Sequence, residues 1–524
     1  MPDSLADQLD LALAWRRVKN DQPERIFIRH PFEIAVIEQD LNGWLSNLGD
    51  SIRNDSYNPS SSLVSDVPKG KGAVRPAAHL SMADRVVYAG CVGLCFPQIH
   101  RHLAWAQGTI DFAYRFSVNA DNPDWLRNQF QGWQDFRTQS LARIDAGSSY
   151  VVFADIAAYY EYIDISVLIS DLRQIGAPIS VLNLLSACLN RWAQVSGRSI
   201  PQGHSASDIL GKLYLHTIDQ NLRAMGICHF RYVDDFRMFC RDRVEAKKAI
   251  IELARLLRKR GLSLQSAKLE IRRADDARRN IDGVLPILTN VRRNFIAQVI
   301  GSLGLAIPYV SLAEAESILA RESDNASIDL IREAYRTFFI DTADSEFNPT
   351  LFHFLLNRLG RQRDRFAVEH CLALFEKHPE ETQHILRYFR ATDAVCEVEL
   401  VLISFLNSPD ALYPYQNFQI IEWFSEIDHT PSEGFIAIIR RLAFDSSQPS
   451  YLRSVCRKII GDYGSTADLE RLESDYPEAR NSLEQSEIIC CLRRMEVGRR
   501  NAFLRRAEGD GFLNRNAARL IRGS

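Results

Sequence analysis

The stretch HFRYVDDFRMFC, His229 to Cys240, sets two adjacent carboxylates, Asp234 and Asp235, between two apolar runs rich in strand formers. Runs of this kind split by a very short polar break read as a β-hairpin. If the flanks are buried in a sheet, the turn pushes both acids into a cleft, where unpaired charges are costly unless something positive joins them. Read alone, the pair is equally a solvated β-turn, for which Asp is an ordinary choice. The rest of the chain decides between the two.

Upstream, VVFADIAAYYEYI places a third acid, Asp155, at the end of an apolar strand and just before a helix start. Three carboxylates on neighbouring strand ends are what two Mg²⁺ ions about 4 Å apart require when they clamp an attacking oxygen and a triphosphate. The reaction class this indicates is in-line nucleotidyl transfer, with Mn²⁺ able to replace Mg²⁺.

At 524 residues the chain predicts two or three domains. Its 46% hydrophobic and 25% charged residues are the balance of a globular protein. No stretch approaches the roughly 18 apolar residues of a membrane span, and the N-terminus lacks the pattern of a secretory signal, so a cytoplasmic address without a membrane partner is expected. Ten cysteines without a CxxC pair read as reduced, mostly buried thiols. A net charge of −3 excludes a protein that coats nucleic acid indiscriminately but leaves room for a locally basic channel.

Three segments follow one another. Residues 1–60 hold amphipathic helices (Leu5 to Trp15, then Ile34 to Leu48) and end in the linker NDSYNPSSS. Residues 61–300 alternate strand-like runs (SSYVVFADI, HFRYVDDFRMFC, LEIRR) with helical ones (DRVVYAGCVGL, VEAKKAIIELARLLRKRG), an α/β or α+β domain. Residues 301–524, from SLAEAESILA onward, are successive helical segments with short breaks. An offset of 35 residues aligns Cys456 with Cys491 and Leu469 with Leu504, which suggests stacked helical hairpins, with a plain helical bundle as the alternative.

Over roughly residues 65–275 the motifs, in order, resemble those of reverse transcriptases. PKGKGAVRP looks like the fingers segment, with Lys69 or Lys71 and Arg75 set to contact the incoming triphosphate. DRVVY resembles the next block. FADIAAYYEYI looks like the first palm motif: Asp155 is the expected metal ligand, Ile156 offers its backbone carbonyl to the metal and nucleotide, and Tyr160, five residues after the Asp, falls at the family's ribose gate. IPQGHSASDIL resembles the second, with Gln202 and Gly203 against the nucleotide; Asp208 stands where group II intron relatives often have Pro, which leaves the local helix start open. YVDD is the third, and GLSLQSAK the fourth, with Lys268 as candidate acid for the pyrophosphate leaving group.

The fold this implies is a fingers and palm of the right-hand reverse-transcriptase type followed by an all-α, HEAT-like repeat domain. That combination resembles the abortive-infection and unknown-group reverse transcriptases of prokaryotic antiphage defence. The resemblance implies polymerisation of dNTPs into a DNA product, homo-oligomers (trimers or hexamers), and priming on a protein tyrosine, either without template or with a partner noncoding RNA. Tyr57, in the linker, is the tyrosine expected to be exposed for priming, with Tyr413 and Tyr415 as rivals. The alternatives are a free-standing primer- and template-dependent enzyme of group II intron type, and an inactive RNA-binding scaffold.

Overall fold

The computed structural model describes residues 4–21, 28–117, 122–127, 129–282, 324–341 and 347–522. The expected domain border at residue 300 and the segment SLAEAESILA lie outside them. The chain divides into two units that are not consecutive in sequence: one comprises residues 1–29, 40–65 and 76–281, the other residues 30–39, 66–75 and 282–524.

The first unit opens with α1 (Leu5–Gln8) and α2 (Leu11–Asn20); α3 (Glu33–Glu38) belongs to the second unit, and α4 (Leu41–Arg53) returns to the first. Asp10 and Asp40 accept hydrogen bonds from Leu13 N and Gly43 N at 2.8 and 3.0 Å, which fixes where α2 and α4 begin. The hairpin of β1 (Leu63–Lys69) and β2 (Ala73–His79) follows. Helix α5 (Met82–Leu103) is capped by Ser81, accommodates Pro97, and is buried along most of its length, with α2 among the helices packed on it.

Helix α6 (Gln129–Asp145) leads into β3 (Tyr150–Asp155), the short α7 (Tyr159–Tyr162), α8 (Ile165–Gln174), α9 (Ile179–Trp192) and the long α10 (Ser205–Ala224). Then come β4 (His229–Tyr232), β5 (Asp235–Cys240), α11 (Arg243–Lys259), β6 (Glu270–Arg273) and α12 (Ala274–Asp282). The four strands form one antiparallel sheet in the order β4-β5-β3-β6. One face packs Val151, Phe230 and Phe239 with Phe136 and Ile144 of α6 and Ala277 and Ile281 of α12. Alternation along β5 turns Phe236 and Met238 to the opposite face, where α11 lies across β3 and β5. A sheet covered on both sides explains why its strands read as nearly unbroken apolar runs.

In the second unit, helices succeed one another: α13 (Asp324–Tyr335), α14 (Pro349–Arg361), α15 (Val368–Lys377), α16 (Thr382–Ala391), α17 (Val395–Asn407), α18 (Pro414–Glu426), α19 (Glu433–Ala443), α20 (Ser450–Tyr463), α21 (Thr466–Asp475), α22 (Ser482–Cys491), α23 (Val497–Ala507) and α24 (Phe512–Arg522). Helices α14, α16, α18, α20, α22 and α24 pack each on the next, while α15, α17 and α19 form a second row. The 35-residue offset sets Cys456, inside α20, against Cys491, the last residue of α22, and so does not superpose the helices end to end; Cys456, Cys491, Leu469 and Leu504 are all buried. Helix α3 docks on α22 and α24, with Val36 and Ile37 buried and His30 Nδ1 2.6 Å from Glu487 Oε1. Among the described residues no helix is long and apolar enough to cross a membrane.

Candidate active site

Antiparallel pairing of β3 with β5 sets Asp155 directly opposite Asp235. Asp235 is also the partner of Tyr232 across the β4–β5 hairpin, so Val233 and Asp234 alone make the turn. A two-residue hairpin turn needs positive φ and ordinarily recruits Gly, Asn or Asp. Here Val233 supplies it with φ +56°. A β-branched residue in that region stores strain on the order of 1–3 kcal/mol, which surrounding structure must hold.

Arg231 does the holding. Its guanidinium is buried, donates to Val233 O at 2.9 Å, and bonds Asp219 through Nε and NH2 (2.7 Å at the shortest) and Asp111 Oδ2 at 2.7 Å. Lys212 Nζ sits 2.9 Å from the same Asp111 oxygen and donates to Ala113 O at 2.6 Å; His229 Nε2 is 3.2 Å from Asp219. Two cations thus face two carboxylates under the hairpin. Burial opposes the Asp219 charge, but Arg231 and His229 hold its carboxyl well below the usual range.

Lys268 arrives from the other side. Asp155 O accepts from Gln265 N at 2.8 Å and Ala157 N donates to Ser263 O at 2.9 Å, with Ile156, its side chain buried, bridged to Leu264. These bonds place the turn Ser266–Lys268 so that Lys268 Nζ lies 2.8 Å from Asp155 Oδ2. Burial works against the Lys268 charge, yet its bond to Asp155 and the nearby Asp235 and Asp234 hold it above the ordinary lysine range. Asp235 is exposed as a residue, but the protein around its carboxyl and then Asp234 and Asp155 push that carboxyl up. Three mutually repelling carboxylates with a lysine ammonium against one of them are a hard-oxygen donor set whose charge suits divalent cations.

Tyr160 is buried on α7, beside this cluster in sequence, and its hydroxyl donates to Asp208 Oδ1 at 2.8 Å. Tyr159 OH donates to Gly211 O at 2.5 Å, and a Cβ on Gly211 would lie only 3.3 Å from the Tyr159 ring and 3.5 Å from that of Tyr160. Glycine at 211 therefore lets both rings close onto α10. Asp208, whose departure from Pro left the helix start open, lies inside the first turns of α10, which begins at Ser205. Gln202 and Gly203 are half-buried in the turn before it, Gly203 with φ +99°, and Ile200 N donates to Tyr160 O at 3.0 Å.

One expectation is corrected. Tyr57 is not an exposed linker side chain: its hydroxyl donates to Asp84 Oδ1 at 2.6 Å, and burial beside Cys188 and Asp84 raises it far above the ordinary phenol range. Tyr415, the rival in α18, is buried, while Tyr413 is half-buried. Lys69, Lys71 and Arg75 lie on the β1–β2 hairpin, in residues 66–75 of the second unit, the two lysines exposed and Arg75 half-buried.

The family model described as reverse transcriptase (RNA-dependent DNA polymerase) matches residues 67–279. Among solved structures, a telomerase from Candida albicans in complex with a fragment of telomeric RNA is similar at 12% identity and a TM-score of 0.29, over 74% of this chain and 68% of that one. An apo telomerase from Candida tropicalis is similar at 11% identity and a TM-score of 0.29, over 79% of this chain and 85% of that one. No curated protein matches the chain. Residues 67–279 are a reverse transcriptase domain, and the enzyme they make of this chain is an RNA-directed DNA polymerase.

Proposed function

We propose that the chain extends DNA from dNTPs at the cluster of Asp155, Asp234, Asp235 and Lys268. The observation that carries this is the strand register: Asp155 faces Asp235 across β3 and β5, with Asp234 in the adjoining turn and the Lys268 ammonium 2.8 Å from Asp155. The three carboxylates and the Ile156 carbonyl would hold two Mg²⁺ ions. When bound, these supply Lewis-acid stabilisation of the attacking 3′-oxygen and the triphosphate.

The chain's own groups do the rest. Asp235, whose carboxyl is biased toward the proton by burial and then by Asp234 and Asp155, would be held as a carboxylate where divalent cations are bound. Lys268, beside Asp155, would give a proton to the pyrophosphate oxygen as its bond to the α-phosphorus breaks, while the 3′-hydroxyl proton passes to water as the 3′-oxygen bonds to that phosphorus. The Tyr160 ring closes the space a ribose 2′-hydroxyl would need, which favours deoxynucleotides. Gln202 and Gly203 line the nucleotide, and Lys69, Lys71 and Arg75 contribute cationic donors to the triphosphate.

At the level of biology we assign the enzyme to antiphage defence, as a homo-oligomer, with priming on protein and with either no template or a dedicated noncoding RNA. The palm joined to an array of packed helices supports this reading, since stacked helices offer long surfaces for self-association and for RNA. The state of Tyr57 favours the second reading, a primer- and template-dependent enzyme of group II intron type, because the linker tyrosine is engaged by Asp84.

One assay tests both levels. With Mg²⁺ and labelled dNTPs, Asp234→Asn is expected to lower incorporation by about 100-fold or more at unchanged circular dichroism; wild-type rates in that variant defeat the assignment. The same assay without primer and template decides between the readings: continued synthesis supports defence-type priming, and its loss supports the primer-dependent enzyme.

A further inference from the structure

We propose that His353, Glu381 and His384 form a second metal site, specific for a divalent transition-metal ion and filled best by Zn²⁺, that fastens α14 to the start of α16. His353 lies on α14, Glu381 ends the 3₁₀ turn Pro379–Glu381, and His384 lies in the first turn of α16, which packs on α14. One ligand atom from each side chain falls within 4.8 Å of both others.

Glu381 is 97% buried, leaving 3% of its surface exposed. Its Oε2 takes the contact from His353 Nε2 at 2.5 Å and lies 3.5 Å from His384 Nδ1. That Nδ1 is shielded from solvent and makes no hydrogen bond. A buried ring nitrogen left without a partner costs about 1–3 kcal/mol. A cation shared with Glu381 and His353 removes that cost.

The donor set selects the ion. Two imidazoles and one carboxylate are the set of open tetrahedral zinc sites, in which a water completes the sphere. Mg²⁺ prefers oxygen donors throughout, so the carboxylates of the first unit and this cluster sort different ions. The two rings stack at 3.5 Å between centroids and 15° between planes, with about a third of each side chain, 31% and 32%, open to solvent. Ion entry is from that open side and requires the rings to splay so that their lone pairs converge, a rotation about the soft terminal torsion of histidine.

The test uses the full chain, stripped with a chelator and dialysed against ZnCl₂ in excess Mg²⁺. Expected are one equivalent of zinc retained by mass spectrometry and a rise in melting temperature on zinc addition. His353→Asn and His384→Asn are each expected to lower zinc affinity by roughly tenfold or more and to abolish the thermal shift. Asp155→Asn keeps both. No zinc retained by the wild type, or retention unchanged in the two histidine variants, overturns the proposal.

Discussion

Asp208 and Tyr160 meet through a single 2.8 Å hydrogen bond inside the protein, and its loss separates two roles of the ring. Tyr160→Ala removes the ring and is expected to admit ribonucleotides, read as the ratio of dNTP to rNTP incorporation. Tyr160→Phe and Asp208→Ala keep the ring but free it. Each should lower that ratio less than Tyr160→Ala does, and their double variant should fall no further than either alone, because both remove one bond. Arg231 is a different case, since it neutralises two buried carboxylates. Arg231→Met leaves Asp219 with His229 and Asp111 with Lys212 but takes the guanidinium from both, and a destabilisation of about 3–5 kcal/mol is expected in urea unfolding. Asp155, Asp234, Asp235 and Lys268 were legible in the sequence because motif order fixes them. Asp111, Lys212, Asp219 and Asp208 were not, since each reads in one dimension as an ordinary solvated charge. The available signal was Arg231 itself, a cation inside a strand whose neighbours on both sides are apolar.

At the scale of elements, the strands were foreseen because their apolar runs are short and bounded, and β3, β4, β5 and β6 fall where SSYVVFADI, HFRYVDDFRMFC and LEIRR place them. The helical half was legible as helices, successive segments with short breaks. What spacing did not reveal is how closely they approach. A Cβ on Gly461 of α20 would stand 2.7 Å from the carbonyl oxygen of Cys491 at the end of α22, against backbone that has nowhere to go. Gly461→Ala is therefore expected to destabilise the second unit by about 1–3 kcal/mol, measured as a lower melting temperature, although alanine is the better helix former.

At the scale of the whole molecule, the chain enters the second unit with residues 30–39, leaves, returns with residues 66–75, leaves again and stays from 282. No sequence pattern announces this, because α3 and the β1–β2 turn are locally ordinary and their partners lie hundreds of residues away. The His30–Glu487 pair makes the arrangement measurable. Burial disfavours the imidazolium, but Glu487, with Glu33 and Glu484, raises His30 from 6.5 to about 9. The folded state keeps the proton longer than the unfolded chain does, so this contribution is fully present below about 6.5 and is lost as the pH rises toward 9. Urea midpoints should fall over that window in the wild type, and less so in His30→Gln.

The same pair sets an order of events during synthesis. Glu487 is made 457 residues after His30. At roughly 5–20 residues per second, α3 waits tens of seconds for the surface that will cover Val36 and Ile37. The reverse transcriptase domain ends at residue 279 and is complete before then, so while residues 282–487 are being made the chain carries a finished domain and an amphipathic segment still without its partner. A nascent chain halted before α22 is expected to recruit chaperones at residues 30–39 and nowhere in the sheet.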